Sequence, residues 1–280
     1  MKALPFLATA LALVATTHAD PDLRKALTFH ASFDRDLNAD FSRGEKTGYL
    51  RKGQEVVPAQ VNEEVRIVHG AGRFGGALHF TKKGTTRPQY PGAGVLDYHA
   101  QTWSRSVSVW LRLDPDQDLE PGYCDPVQIV GEDIKKGFIF LEWSKDHTPR
   151  RFRYAIRPLI EIWNPTAVGW EEIADAKRPM VQLSEPVFSR EKWTHIVFTL
   201  ENINDSAKKP AGRLYVNGAP KGAIEGWDLR LGWDPAKVLL VLGAAYVGHM
   251  DDLAVFDRTL TAPEVQKLFA LPRGVAELHP

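Results

Sequence analysis

Trp193-Thr194-His195-Ile196-Val197-Phe198-Thr199-Leu200, followed by Gly212-Arg213-Leu214-Tyr215-Val216-Asn217-Gly218-Ala219-Pro220-Lys221-Gly222, is the stretch that decides the fold. The first run is rich in β-branched and aromatic side chains and bounded by polar sequence, the signature of a strand. Asn217-Gly218 suits the positive-φ centre of a type I′ hairpin turn. An apolar run at 238–242 follows, then the acidic strand Gly248-His249-Met250-Asp251-Asp252-Leu253-Ala254-Val255-Phe256. Thr261-Ala262-Pro263-Glu264 is a capping box that opens a short helix, and Val265, Leu268 and Phe269 give that helix one apolar face.

Outward from this segment, Leu27, Phe29, Ala31 and Phe33 alternate with polar residues and share one strand face. Asp34, Asp36, Asn38 and Asp40 crowd the turn after it, as turn formers or as oxygen ligands for a hard cation. An edge strand is expected around Glu55-Val56-Val57. The glycines of 70–76 permit a tight turn around Phe74 rather than a phosphate loop, since no Lys-Ser/Thr ending and no helix follow. Residues 106–113 form the cleanest strand, with Trp110 on its polar side. In the middle, 127–130 and 137–143 read as paired strands, and 151–157 alternates strictly between a basic and an apolar face. Leu159-Ile160-Glu161-Ile162-Trp163 reads as a further strand. No repeat or low-complexity tract interrupts the chain.

Three stretches, "WTHIVFTL…GRLYVNGAPKG", "GHMDDLAVFDRTLTAPEVQKLF" and "GRFGGALHF" followed by "SVSVWLRLD", resemble the laminin-G-like family of concanavalin A-like lectin/glucanase sandwiches. The resemblance implies an all-β fold, a two-sheet antiparallel jelly-roll β-sandwich with a short C-terminal helix, over 20–280 as one domain. It also implies that the opening and closing strands are neighbours, which would bring Asp34 towards Asp252. A structural calcium (Ca2+) held by Asp34, Asp36, Asp40, Asp251 and Asp252 is then expected, against the plainer reading of solvated turns and backbone-bonded carboxylates.

Residues 1–19 have a positive start at Lys2, an apolar core and a small residue at Ala19, the form of a signal peptide. The expectation is export across the cytoplasmic membrane to a periplasmic or extracellular site. Lys plus Arg equal Asp plus Glu at 35 each, so no net field attracts nucleic acid. A single cysteine, Cys124, forbids an intrachain disulfide and reads as a small buried hydrophobe. No later run reaches the roughly 18 apolar residues of a transmembrane helix.

A Glu-x-Asp-x-x-Glu strand, a Gly-x-Ser-x-Gly elbow and a His-Glu-x-x-His helix are all missing from the sequence. His195, inside a strand, reads as packed rather than catalytic. Tryptophans near turn-like sequence offer rings for sugars to stack on, and Trp163, Trp170, Trp227, Asp228 and Trp233 are the candidate ligand-binding set. The sequence thus predicts a binding module for extracellular polysaccharide or glycoprotein glycans. The alternatives are a glycoside hydrolase or polysaccharide lyase with its acid and base in 161–175, and a surface protein that meets other proteins.

Overall fold

A computed structural model describes residues 20–52, 55–145 and 147–280. The signal peptide expected at 1–19 lies outside the described residues. Strands in chain order are β1 (Leu27–Ala31), β2 (Phe41–Ser42), β3 (Tyr49–Lys52), β4 (Glu55–Pro58), β5 (Val65–Val68), β6 (Ala77–Phe80), β7 (Gln89–Pro91), β8 (Trp103–Arg112) and β9 (Cys124–Val130). They continue with β10 (Phe138–Trp143), β11 (Phe152–Arg157), β12 (Met180–Leu183), β13 (Thr194–Ile203), β14 (Ala211–Val216), β15 (Ala219–Ile224), β16 (Leu239–Ala244) and β17 (Gly248–Phe256). One sheet runs β15-β14-β13-β8-β17-β1-β2, with β6 also on β17 and β5 on β6. The other runs β12-β11-β10-β9-β16-β7-β3-β4.

The opening and closing strands lie side by side, antiparallel, with Ala31 opposite Leu253. Inward residues of both sheets fill one core, among them Phe29, Val109 and Phe198 from the first and Ile129, Leu141 and Tyr154 from the second. The Tyr154 hydroxyl donates to the Thr199 carbonyl at 2.8 Å, so a buried phenol finds its acceptor across the layer. A second apolar cluster lies on the outer face of the first sheet, where Val265 and Leu268 of the helix Ala262–Phe269 meet Val197, Tyr215 and Phe256. Trp110 and His195 are buried in the same region, stacked on Phe269 at 5.6 and 5.8 Å. The outer face of the first sheet is therefore covered over much of its area by the chain's own ends.

Local sequence signals explain the turns. Asn217 and Gly218 sit at φ 51° and 78°, the positive-φ pair a type I′ hairpin needs. The Thr261 N–H donates to Glu264 Oε2 at 2.8 Å, closing the capping box. A Cβ on Gly76 would stand 2.7 Å from the Phe33 carbonyl oxygen, which is why the loop around Phe74 takes glycine there. One element differs from expectation: Ile160–Trp163 is a short helix, not a strand. The free edge of β11 is already occupied by β12, and Pro158 has no N–H to extend a ladder.

Candidate functional site

The outer face of the second sheet carries the polar chemistry. Strand alternation, with the irregularity of β9 opposite Leu141–Trp143, turns Asp125 and Gln128 of β9, Glu142 of β10, and Arg153 and Arg157 of β11 outward, while Cys124, Val127, Leu141 and Tyr154 face the core. Residues 159–178 fold back over this face. Trp163 and Trp170 stack on the Arg157 guanidinium at 4.2 and 5.1 Å, and Arg178 lies 5.0 Å from the Trp170 ring. Glu171 accepts from Arg153 Nη1 at 3.0 Å and from the Tyr123 hydroxyl at 2.9 Å, and pairs with Arg178 at 2.9 Å. Arg153, fully buried, also donates to Glu142 at 3.0 Å and to Gln182 at 2.8 Å.

This covered network sorts its carboxyls into two kinds. Burial pushes Asp125 up to about 7, against Gln128, Arg87 and Arg157, which pull it down. Burial and the charge of Asp125 push Glu142 up to about 8, with Arg153 pulling the other way. Burial works against the charge of Glu171 too, but its Arg153 and Tyr123 hydrogen bonds and Arg178 outweigh it and hold the group at about 2. At neutral pH the pair on β9 and β10 therefore retains a proton, and the carboxylate in the covering segment does not.

Beyond the cover, the same sheet face is open. Its groove has a volume of about 850 Å³. Gln89, Gln128, Val130, Leu239 and Val241 of the sheet line it together with Tyr49, Arg51 and Val56 of the β3–β4 hairpin and with Arg87, Glu132 and Lys237. Gln128 joins the two regions: it lines the groove, and its Nε2 donates to Asp125 Oδ2 at 2.6 Å. Asp125 Oδ1 is buried with no hydrogen-bond partner among the described residues. The groove thus presents amides, a phenol and three cationic side chains against one carboxylate.

The residues singled out from sequence fall in separate places. Trp163 and Trp170 belong to the cover, where Arg157 occupies their faces. Trp227 and Asp228 line a different depression of about 820 Å³ with Arg213, Glu201 and Glu225, and Asp228 is paired with Arg230 at 2.7 Å. Trp233 does not face solvent. It is packed on Tyr98 at 5.1 Å, and its indole N–H donates to the Gly137 carbonyl at 3.0 Å. The turn-like residues around it describe the backbone, while the ring points to the core.

The five aspartates divide as well. Asp34 Oδ1 accepts from the Gly76 N–H at 2.5 Å, Asp36 Oδ1 from Asn38 and Asp40 Oδ2 from Ser32, both at 2.7 Å. Together these three line a cavity of about 70 Å³. Asp251 instead accepts from the N–H groups of Arg73 and Phe74 at 2.6 and 3.0 Å. Asp252, at φ 51° in a bulge of β17, bonds His30 Nε2 at 2.7 Å and the Val275 N–H at 3.1 Å. The expected meeting of Asp34 with Asp252 gives way to two separate sets of partners. Among the described residues, no three carboxylate, imidazole or thiol side chains converge as a metal-ligand set.

Sequence reasoning missed Asp125, Gln128, Glu142 and Arg153 as a group. The basic face of 151–157 was the one available signal, because a buried row of arginines requires carboxylates on the next strand.

Residues 90–266 match the Laminin_G_3 family, described as the concanavalin A-like lectin/glucanases superfamily. Among solved structures, domain 4 of AbnA, a GH43 extracellular arabinanase from Geobacillus stearothermophilus, in complex with arabinotriose, is similar at 19% identity and TM-score 0.51, covering 88% of this chain and 98% of that one. The receptor binding domain of botulinum neurotoxin D is similar at 14% identity and TM-score 0.50, covering 80% of this chain and 52% of that one. At these identities the likeness is one of fold alone. Among curated proteins, none matches.

Proposed function

The chain belongs to the concanavalin A-like lectin/glucanases superfamily, and from that premise we propose that it is an exported glycan-binding module whose ligand lies in the groove on the outer face of the second sheet. The observation that carries this reading is the groove itself, about 850 Å³ of open sheet face lined by Tyr49, Gln89, Gln128, Arg51 and Arg87. Amides and guanidinium groups are donors for sugar hydroxyls and carboxylates, and a tyrosine ring offers an apolar face. The arabinanase domain of similar fold, solved with arabinotriose, supports the same class of ligand.

Two other readings have less to stand on. A hydrolase needs its acid pair beside the scissile bond, whereas Asp125 and Glu142 are only 7% and 5% exposed. A protein-contact surface would show a contiguous apolar patch; among the described residues the large apolar side chains given as exposed are four, Val56, Val61, Ile134 and Val168.

Calorimetric titration with neutral and uronate-bearing polysaccharides tests the assignment. Arg87→Ala should weaken binding about tenfold, the loss of one charge-assisted hydrogen bond, while Trp227→Ala leaves it unchanged. The reverse pattern would move the ligand to the depression beside Trp227.

We also propose the turn 34–40 as the calcium site, without Asp251 and Asp252. Asp34 and Asp36 each spend one carboxylate oxygen on a backbone N–H, and the second has no hydrogen bond among the described residues. A bound hard cation would take such oxygens. Chelator should lower the melting temperature and added calcium restore it; identical melts in both remove the site.

A further inference from the structure

On the outer face of the first sheet, away from the groove, four adjacent strands set four cationic or imidazole side chains in one row. Arg66 of β5 stands opposite His79 of β6, His79 opposite His249 of β17, and His249 opposite Arg112 of β8. Val65, Leu78, Met250 and Leu111, next to them in sequence, are buried in the core, so alternation turns the row outward. The two imidazoles lie flat against each other, with centroids 4.0 Å apart and planes 3° off parallel. Arg112 lies over the Trp193 ring at 4.8 Å, which holds its guanidinium in place. His79, His249 and Arg112 line a depression of about 340 Å³ shared with Asp118 and Arg190.

The charges in this depression do not cancel. Asp118 is occupied: it pairs with Arg190 and accepts the Asp114 N–H at 2.7 Å. Arg66 and Arg112 make no ion pair among the described residues. Two guanidinium groups without an ion pair among the described residues therefore flank two stacked imidazoles in the same row. We propose that this row binds a tetrahedral oxyanion, a sulfate or phosphate group, seated between Arg112 and the His79–His249 stack. Guanidinium groups match the paired oxygens of such an anion, and each ring supplies one further donor.

The groups facing the stack also give binding a pH dependence. Burial, Arg66 and Arg112 lower His79 from its ordinary value, and burial, His79 and Arg112 push His249 down to about 4; Asp118 pulls both upward. A bound dianion adds negative charge beside the rings and favours their protonation, so anion binding takes up protons and tightens as pH falls.

The experiment titrates the full chain with sodium sulfate, a dianion throughout, following the ring C–H resonances of His79 and His249 at about pH 8 and about pH 5.5. The expected result is a saturable shift of both rings, tighter at the lower pH, and weakened about tenfold or more by Arg112→Gln. Arg112→Lys, which keeps the charge and the aliphatic stem but loses the paired donors, should weaken it to a smaller degree, which protects the test if Arg112→Gln disturbs packing. A glucose sulfate ester and glycerol phosphate then separate the two sources: tighter binding of the first supports a sulfated glycan, of the second a phosphate-bearing molecule. An unsaturable drift, affinity equal in the arginine variants, or binding of neither ester overturns the proposal.

Discussion

Arg153→Met is expected to lower the unfolding free energy by about 1–3 kcal/mol, read as a shift of the urea midpoint at constant m-value. The fully buried guanidinium holds Glu142, Glu171 and Gln182 together. Among these, Glu171 keeps Tyr123 and Arg178 when Arg153 is lost. Glu142 keeps nothing, because Arg153 is its one hydrogen-bond partner among the described residues. Losing Arg153 leaves the raised carboxyl of Glu142 buried without a partner, whereas replacing both sides of a buried pair by apolar groups of similar volume is often neutral. The double variant Glu142→Leu, Arg153→Met should therefore recover much of the loss. A single-variant cost below about 1 kcal/mol, the range of exposed pairs, would mean that water reaches Glu142 and the cover over β10 and β11 is loose.

That network also shows where the sequence stops being informative. The hairpin at Asn217-Gly218 and the Thr261–Glu264 cap depend on neighbours within four residues, so their chemistry is written in the local string. The adjacency of β1 and β17 is not local and came from family resemblance. Asp125 and Glu142 are brought together by the pairing of β9 with β10, where Gln128 stands opposite Phe140 and the register shifts between Leu141 and Trp143. No spacing within either strand announces that meeting. Trp233 fails in the opposite sense: Gly232 and Asp234 describe a loop correctly, but nothing local says that the indole turns inward to Tyr98 and Trp103. For the aspartates, the strand adjacency was not enough to set the partners, since the bulge at Asp252 aims that side chain at His30 and Val275.

Stability should peak near about pH 6.5 and fall as the solution becomes mildly alkaline, a direction opposite to that set by ordinary paired carboxylates. Asp125 and Glu142 are raised to about 7 and about 8, and burial with the Asp252 charge raises Asp251 to about 8. Each acid whose folded value lies above its unfolded value of roughly 4 leaves the native state holding more protons than the unfolded chain. The stability it contributes is complete below about 4 and is lost as pH rises through the folded value. Histidine works against this at lower pH. Burial pushes His195 down to about 3 and His249 to about 4, so their contribution is lost as pH falls from roughly 6.5 through those values. Between about 6.5 and 8 the unfolded imidazoles lose their remaining protons, and the retained carboxyl protons increasingly set the slope. One proton on the Asp125–Glu142 pair and one on Asp251 give a slope of about 1–3 kcal/mol per pH unit. Denaturant midpoints measured across that window check it, and Asp251→Asn with Glu142→Gln, which fix the neutral form, should flatten the slope. A native state equally stable at both ends of the window would mean that these carboxyls are ionised, and the covered face of the second sheet would have to be wet.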